Sequence, residues 1–211
     1  MFRKPSAAAS VRREVANRLV GEPFSVASLL SLGPRPGVER ELARLVEKGV
    51  LTHLVHGLYA RPRFNPLVGP VPPTPASIVA AIAAATSSIV EPGGAEAAHR
   101  LGLTQQMPMK SVYLTSGRSR RVRLGATEIS LRHAAPRKLA LAGRPAGLAL
   151  SAFWHLGKAG LTTKHVETAR RHLPATEFAA LVGAARLMPE WMRTIVANAE
   201  ETLPAKGSVH G

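Results

Sequence analysis

A proline-rich segment constrains the fold of this chain more than any other feature. Residues 65–75 read NPLVGPVPPTP and hold five prolines in eleven positions. Proline cannot continue a helix, so such a segment is expected to form an extended, semi-rigid spacer. The chain has 211 residues, enough for two small domains. We therefore predict a first domain at 1–65, a linker at 66–75, a second domain at 76–203 and a flexible tail at 204–211.

The balance of charge favours a polyanionic partner. The chain carries 28 Lys and Arg residues against 13 acidic ones, a formal net charge of +15. Each cation placed at a phosphate releases a condensed counterion, so nucleic acid is the expected partner. The longest nearly uncharged run is interrupted by prolines and cannot be a spanning helix. No secretory apolar region follows Met1. The sequence thus predicts a soluble, cytoplasmic protein without a membrane partner.

The types of acidic and sulfur-bearing residues narrow the chemistry. Every acidic residue is Glu, and the chain has neither Asp nor Cys. A thiol nucleophile, a Cys-ligated zinc site, a Ser-His-Asp triad and an Asp-built magnesium site are therefore excluded. No phosphate-binding loop of the GxxxxGK[ST] type occurs. We expect a protein that is not an enzyme and that needs no cofactor and no metal.

Before the proline-rich segment, the apolar residues follow a helical period in three segments, and a hairpin pattern comes after them. Val11, Val15 and Leu19 form one apolar stripe of a first helix, and a second helix over 25–32 turns Leu29 and Leu30 inward. A third helix over 37–48 buries Val38, Leu42, Leu45 and Val46. Two short strands follow at 50–55 and 58–61, around a His-Gly turn. This order predicts a winged helix-turn-helix; a small scaffold or a dimerisation module is the alternative.

The third helix and the hairpin supply the candidate DNA-binding residues. Arg40 and Arg44 lie four residues apart, opposite the buried stripe, where a recognition helix needs donors for the major groove. Glu39, Glu41 and Glu47 dilute that face. The hairpin would act as a wing on the DNA backbone. The full candidate set is Arg35, Arg40, Arg44, Lys48, His53, His56, Arg61 and Arg63, with a weaker basic arm at Arg3 and Lys4.

The second domain is predicted to be α+β, with a small antiparallel sheet over 111–115, 120–124 and 127–132 and a helical C-terminal bundle. Its most basic stretch is the turn and strand after residue 117, where side chains alternate between faces. A solvated sheet face is one explanation. The other is a second polyanion or toxin contact, through Arg118, Arg120, Arg121 and Arg123, that would extend the DNA footprint.

Three ordered blocks carry a resemblance to a known family: RLVEKGVLTHLVHGLYARPRFNP, VEPGGAEAAHRLGLTQQMP and SVYLTSGRSRRVRLGATEISLRHAAPRKL. With the later LMPEWM, they resemble the AbiEi-like antitoxin family, in its DUF6088 branch, over about residues 10–195. The family's Pro-Ser-Gly signature here reads Pro92-Gly93-Gly94. The resemblance implies the antitoxin half of a toxin–antitoxin or abortive-infection system. It also implies an N-terminal winged helix that represses its own operon at inverted repeats, and a C-terminal domain that counteracts a nucleotidyltransferase-type toxin.

The leading functional prediction is therefore a DNA-binding antitoxin and autorepressor, with two copies on a two-fold-related operator. Three alternatives stay open. The chain could be a phosphotransferase or phosphatase that acts on a toxin, a general winged-helix transcriptional regulator, or an RNA-binding module.

Overall fold

The computed structural model describes residues 6–201 and has a mixed α+β fold, which confirms the predicted class. Arg3, Lys4 and the predicted tail at 204–211 lie outside the described residues. The chain divides into two compact units. The first runs up to Ser88 and includes Val122–Glu128; the second comprises Ile89–Arg121 and the chain from Ile129 onward. The first unit thus extends past the predicted linker and takes in the helix that follows it.

The first unit alternates short helices and short strands. In chain order its elements are α1 (Ala7–Asn17), β1 (Pro23–Ser25), a 3₁₀ helix (Val26–Leu32), α2 (Arg35–Glu47), β2 (Thr52–Val55), β3 (Leu58–Ala60), β4 (Arg63–Asn65), β5 (Gly69–Val71) and α3 (Pro75–Thr86). One sheet has the order β1-β3-β2 with antiparallel pairs, and β4 pairs with β5. Side-chain caps start two of the helices: Ser6 accepts from Ala9 N–H and Thr74 from Ser77 N–H.

The core of the first unit follows the predicted helical stripes. Its members include Val11, Val15, Phe24, Leu29, Val38, Leu42, Leu45 and Leu51. Leu19 was expected to continue the first stripe but is 73% exposed, because α1 ends at Asn17. Leu30 also faces outward, since the second helix is a 3₁₀ helix with a tighter period than the α-helix assumed. Val46 is half-buried against the core.

The proline-rich segment forms structure of its own. Strands β4 and β5 pair across the turn at residues 66–68, with Asn65 Oδ1 accepting from the N–H groups of Leu67 and Val68. Pro70 lies opposite Phe64 in this two-stranded ladder, where a missing N–H is tolerated. The segment at 66–75 is therefore a hairpin followed by a short lead into α3, in place of a uniform spacer.

The second unit joins a small sheet to a helical bundle. Its elements are β6 (Val90–Pro92), α4 (Gly94–Arg100), β7 (Ser111–Thr115), β8 (Arg120–Leu124), β9 (Thr127–His133), a 3₁₀ helix (Pro136–Lys138), α5 (Pro145–Gly160), α6 (Thr163–His172), α7 (Ala175–Gly183), a 3₁₀ helix (Ala185–Leu187) and α8 (Glu190–Glu201). Part of β8 and the start of β9 fall within Val122–Glu128 of the first unit.

The sheet is mixed, where an antiparallel one was predicted. Its strand order is β6-β7-β9-β8, with β7 antiparallel to β6 and parallel to β9. The chain passes from β7 to the outermost strand β8 and returns as β9 beside β7, which gives β7 and β9 the same direction. The predicted helical bundle is present: Leu150, Phe153, Leu181 and Met192 are fully buried between its helices.

Candidate nucleic-acid interface

Helix α2 presents a row of exposed cations on its outward face. Val38, Leu42 and Leu45 turn the other face into the core. Arg40, Arg44 and Lys48 are exposed and follow one another at four-residue spacing, so they line one side of the helix. We call these three residues the α2 basic stripe. The side chains of Arg40 and Lys48 make no ion pair or hydrogen bond with any described residue, which leaves both free to bind a ligand.

Two of the three acids of α2 are bound by arginines, whereas Glu47 is exposed beside the α2 basic stripe. Glu41 is only 5% exposed, and its Oε1 accepts a hydrogen bond of 2.9 Å from Arg12 Nη1 on α1. Arg44 Nη1 lies 3.9 Å from the other oxygen of Glu41, at the outer limit of an ion pair. Glu39 is bound by Arg35 at 2.7 Å. The predicted dilution of the face by acid is thus reduced but not removed, because Glu47 stays exposed; Arg35 is also engaged within the protein.

The hairpin β2–β3 places both of its histidines on the surface. The His53 ring packs against Tyr59 with 5.1 Å between centroids, and His56 is exposed at the turn before Gly57, whose φ of 72° suits glycine. Burial first, and then the charge of Glu39, raises the pKa of the Tyr59 hydroxyl above its ordinary value. Both histidines are therefore accessible, one of them oriented by an aromatic contact.

Arg61 and Arg63 have different environments although both were predicted to contact DNA. The half-buried Arg61 donates from Nη1 to the carbonyl oxygens of Ala16, at 2.9 Å, and Arg18, at 2.8 Å. It thereby satisfies carbonyls at the C-terminal end of α1. The aliphatic part of the exposed Arg63 lies against Gly21, and its guanidinium makes no ion pair or hydrogen bond within the described residues. Arg61 has a structural role that no local sequence pattern indicates.

The second group of predicted cations lies on and before β8. Arg118, Arg120, Arg121 and Arg123 are all exposed, and Val122 is buried between the last two, as the predicted alternation requires. Arg123 is bound by Glu128 at 3.0 Å from both Nε and Nη2. Arg120 and Arg121 line a groove of about 340 Å³ together with Arg132 of β9, a cation that sequence reasoning did not select.

In the part of the chain that the structure describes, no helix is long and apolar enough to cross a membrane. Within residues 6–201, no three His or Glu side chains come together as a set that could hold a metal ion.

Comparison with known proteins identifies a family. The sequence model of the DUF6088 family, described as a family of unknown function, matches residues 11–177. This confirms the DUF6088 part of the resemblance and does not bear on the antitoxin assignment. Among solved structures, the crystal structure of the RV2827C protein from Mycobacterium tuberculosis is similar, with 18% sequence identity and a TM-score of 0.43, over 93% of this chain and 83% of that chain. No curated protein matches.

Proposed function

We propose that this chain, which belongs to the DUF6088 family of unknown function, is a DNA-binding antitoxin that represses its own operon. The DNA-binding part is supported by the α2 basic stripe: three exposed cations lie on one side of a helix, and two of its three acids, Glu39 and Glu41, are paired with arginines. The antitoxin part rests on the sequence resemblance alone, which also supplies the proposed partner, a nucleotidyltransferase-type toxin.

The order of elements in the first unit supports a winged-helix interpretation. Helix α1, the 3₁₀ helix and α2 precede the β2–β3 hairpin, and β1 adds to the free side of β3. In a winged helix-turn-helix the last helix before the hairpin enters the major groove. In this proposal α2 is that recognition helix, and the turn at His56 and Gly57 is the tip of the wing.

The contacts we propose are fewer than those predicted from the sequence. Arg40, Arg44 and Lys48 face the groove, while His53, His56 and Arg63 contact the backbone. Arg35 is paired with Glu39 and reaches DNA only by exchanging that ion pair for a phosphate. Arg61 is withdrawn from the set, because its guanidinium is committed to the end of α1.

Footprinting on the DNA upstream of the gene tests the DNA-binding part. We expect protection of a two-fold-related site, with Arg40→Ala and Arg44→Ala each costing roughly 1–3 kcal/mol of binding if the residue contacts a base. Arg186→Ala, an exposed cation of the second unit, is the matched control and leaves binding unchanged. If the protein protects DNA without any sequence preference, the proposal that it is a repressor is contradicted. Preference for single-stranded RNA over duplex DNA in competition would favour the RNA-binding alternative.

Co-expression tests the antitoxin part separately. We expect the protein encoded by the adjacent gene to arrest growth when expressed alone, and this chain to restore growth. Arg40→Ala is expected to be impaired only in DNA binding. If this variant also restores growth, the neutralising role belongs to another part of the chain. An adjacent protein without any effect on growth contradicts the antitoxin assignment.

A further inference from the structure

A cavity of about 240 Å³ opens in the second unit beside the N-terminal half of α4. Its wall is built from separate stretches of the chain, which bring charged side chains together. Lys110 comes from the segment before β7, Arg132 from β9, Lys138 from the 3₁₀ helix after β9, and Trp154 and His155 from α5. None of the residues that line the cavity belongs to α2 or to the proposed DNA contact.

The charge on this wall is positive and largely uncompensated. The side chains of Lys110, Arg132 and Lys138 make no ion pair or hydrogen bond within residues 6–201. Glu96, the acid on the wall, is bound by Arg100 Nε at 2.7 Å. Three cations and one acid leave a formal charge of about +2 around the cavity. Like charges that lie close together repel one another, so an anion in the cavity would be favoured.

Trp154 adds a cation-binding ring to the same wall. Lys138 Nζ lies 4.8 Å from the centre of its ring and Arg137 Cζ 5.2 Å. These contacts hold two cations beside the cavity.

We propose that this cavity binds a phosphate group. A phosphate monoester carries a charge of about −1.5 to −2 at neutral pH, which balances the wall, whereas a carboxylate carries half as much. Its oxygens accept hydrogen bonds from Lys110, Arg132 and Lys138. The cavity is smaller than the roughly 300–1,000 Å³ of pockets that enclose whole small molecules. It therefore takes the phosphate end of a ligand, and the remainder extends outward.

Intrinsic fluorescence gives a direct readout on the full chain. Its two tryptophans, Trp154 and Trp191, pack edge to face with 6.4 Å between ring centres. We expect inorganic phosphate and AMP to change this fluorescence in a saturable manner, and adenosine to have no effect. Two probes distinguish the possible sources of the phosphate. AMP represents a small molecule, and a 5′-phosphorylated oligonucleotide, with its 5′-hydroxyl form as the control, represents a strand end. The probe that binds more tightly identifies the source.

Variants that leave the indole in place test the assignment of the wall. Lys110→Gln and Arg132→Gln are each expected to weaken AMP binding about tenfold or more, because each removes a charge-assisted hydrogen bond. Lys158→Gln and Arg186→Gln remove exposed cations of the same unit that do not line the cavity, and should leave the affinity unchanged.

Three results would overturn the proposal: equal responses to AMP and adenosine, no saturable response to phosphate or AMP, or equal weakening by the wall and control variants. Arg40→Ala is expected to bind AMP as tightly as the natural chain. Failure of the DNA-binding proposal therefore leaves this one standing, and the reverse holds as well.

Discussion

Arg12 of α1 donates a hydrogen bond of 2.9 Å to the carboxylate of Glu41, a buried residue of α2. The ion pair joins two helices whose apolar stripes form one core, and it removes a negative charge from beside the α2 basic stripe. A residue predicted to weaken the DNA-binding face is thus part of the packing that positions this face.

Removing Arg12 should destabilise the first unit. Arg12→Ala leaves the buried carboxylate of Glu41 without its main partner, and we expect a loss of about 1–3 kcal/mol in the free energy of unfolding. Denaturant titration measures the effect. Arg13→Ala, the exposed neighbour, is the matched control. If Arg12→Ala and Arg13→Ala unfold at the same denaturant concentration, the ion pair contributes nothing.

Arg61 and Arg63 should separate stability from DNA binding. Arg61→Ala leaves two carbonyl oxygens at the end of α1 without a donor and is expected to cost about 1–3 kcal/mol of stability. Arg63→Ala should leave stability within about 0.5 kcal/mol and weaken DNA binding instead. Thermal unfolding and DNA titration of both variants distinguish the roles, and a stable Arg61→Ala would contradict the assignment of Arg61.

The dependence of DNA affinity on salt should identify which cations of β8 take part. Each phosphate contact contributes about −0.9 to the slope of log affinity against log salt. Arg121 has no carboxylate partner within residues 6–201, whereas Arg123 is bound by Glu128. We therefore expect Arg121→Ala to reduce the slope more than Arg123→Ala. Charge reversal at Arg118, Arg120, Arg121 and Arg123 together, with no change in affinity or slope, would show that this strand does not contact DNA.

Glu91 should make the stability of the second unit depend on pH. It is 3% exposed; burial raises its pKa, against the opposing effects of the Gly143 N–H and the charge of Arg100. The folded state then holds the proton more tightly than the unfolded chain, so stability is lost as pH rises from the ordinary Glu value through the raised pKa.

Glu91→Gln keeps an acceptor for Gly143 and cannot ionise. Its unfolding free energy, relative to that of the natural chain, should therefore increase between about pH 4 and about pH 7. Glu200→Gln, at an exposed site of the same unit, is the control. A constant difference between natural chain and Glu91→Gln across this range would show that Glu91 does not titrate with folding.

Gly94 should tolerate no side chain. A Cβ there would overlap Cβ of His155 and the carbonyl oxygen of Ser151, both on α5. Gly94→Ala is expected to cost about 1–3 kcal/mol of stability, because α4 and α5 must move apart. Gly183→Ala has open space and should be neutral or slightly stabilising. Equal unfolding midpoints for these two alanine variants would contradict the close packing.

The features that the sequence predicts correctly are those with a strong local period. The apolar stripe of α2 and the alternation at Arg121, Val122 and Arg123 depend on residues close in the chain. Strands β1, β4 and β5 have three residues each, too few for a period, and β5 contains a proline. Their pairing depends on partners elsewhere in the chain, which no local window contains.

The missed site residues have the same cause. The buried Glu41 is paired with Arg12, 29 positions earlier, and Arg61 donates to carbonyls 45 and 43 positions before it. Arg132 is an exposed residue near the end of β9, and only the folded chain brings it beside Lys110 and Lys138. Distant pairings of this kind leave no signal in composition or spacing.

The position of β8 at the outside of its sheet has a consequence for solubility. An outermost strand offers unpaired backbone groups that can recruit a strand from another molecule. Arg120, Arg121 and Arg123 give this strand three exposed cations in five residues, and two such strands would repel each other on approach. Whatever these arginines bind, they also oppose edge-to-edge aggregation, so replacing them together would lower the concentration at which the protein stays in solution.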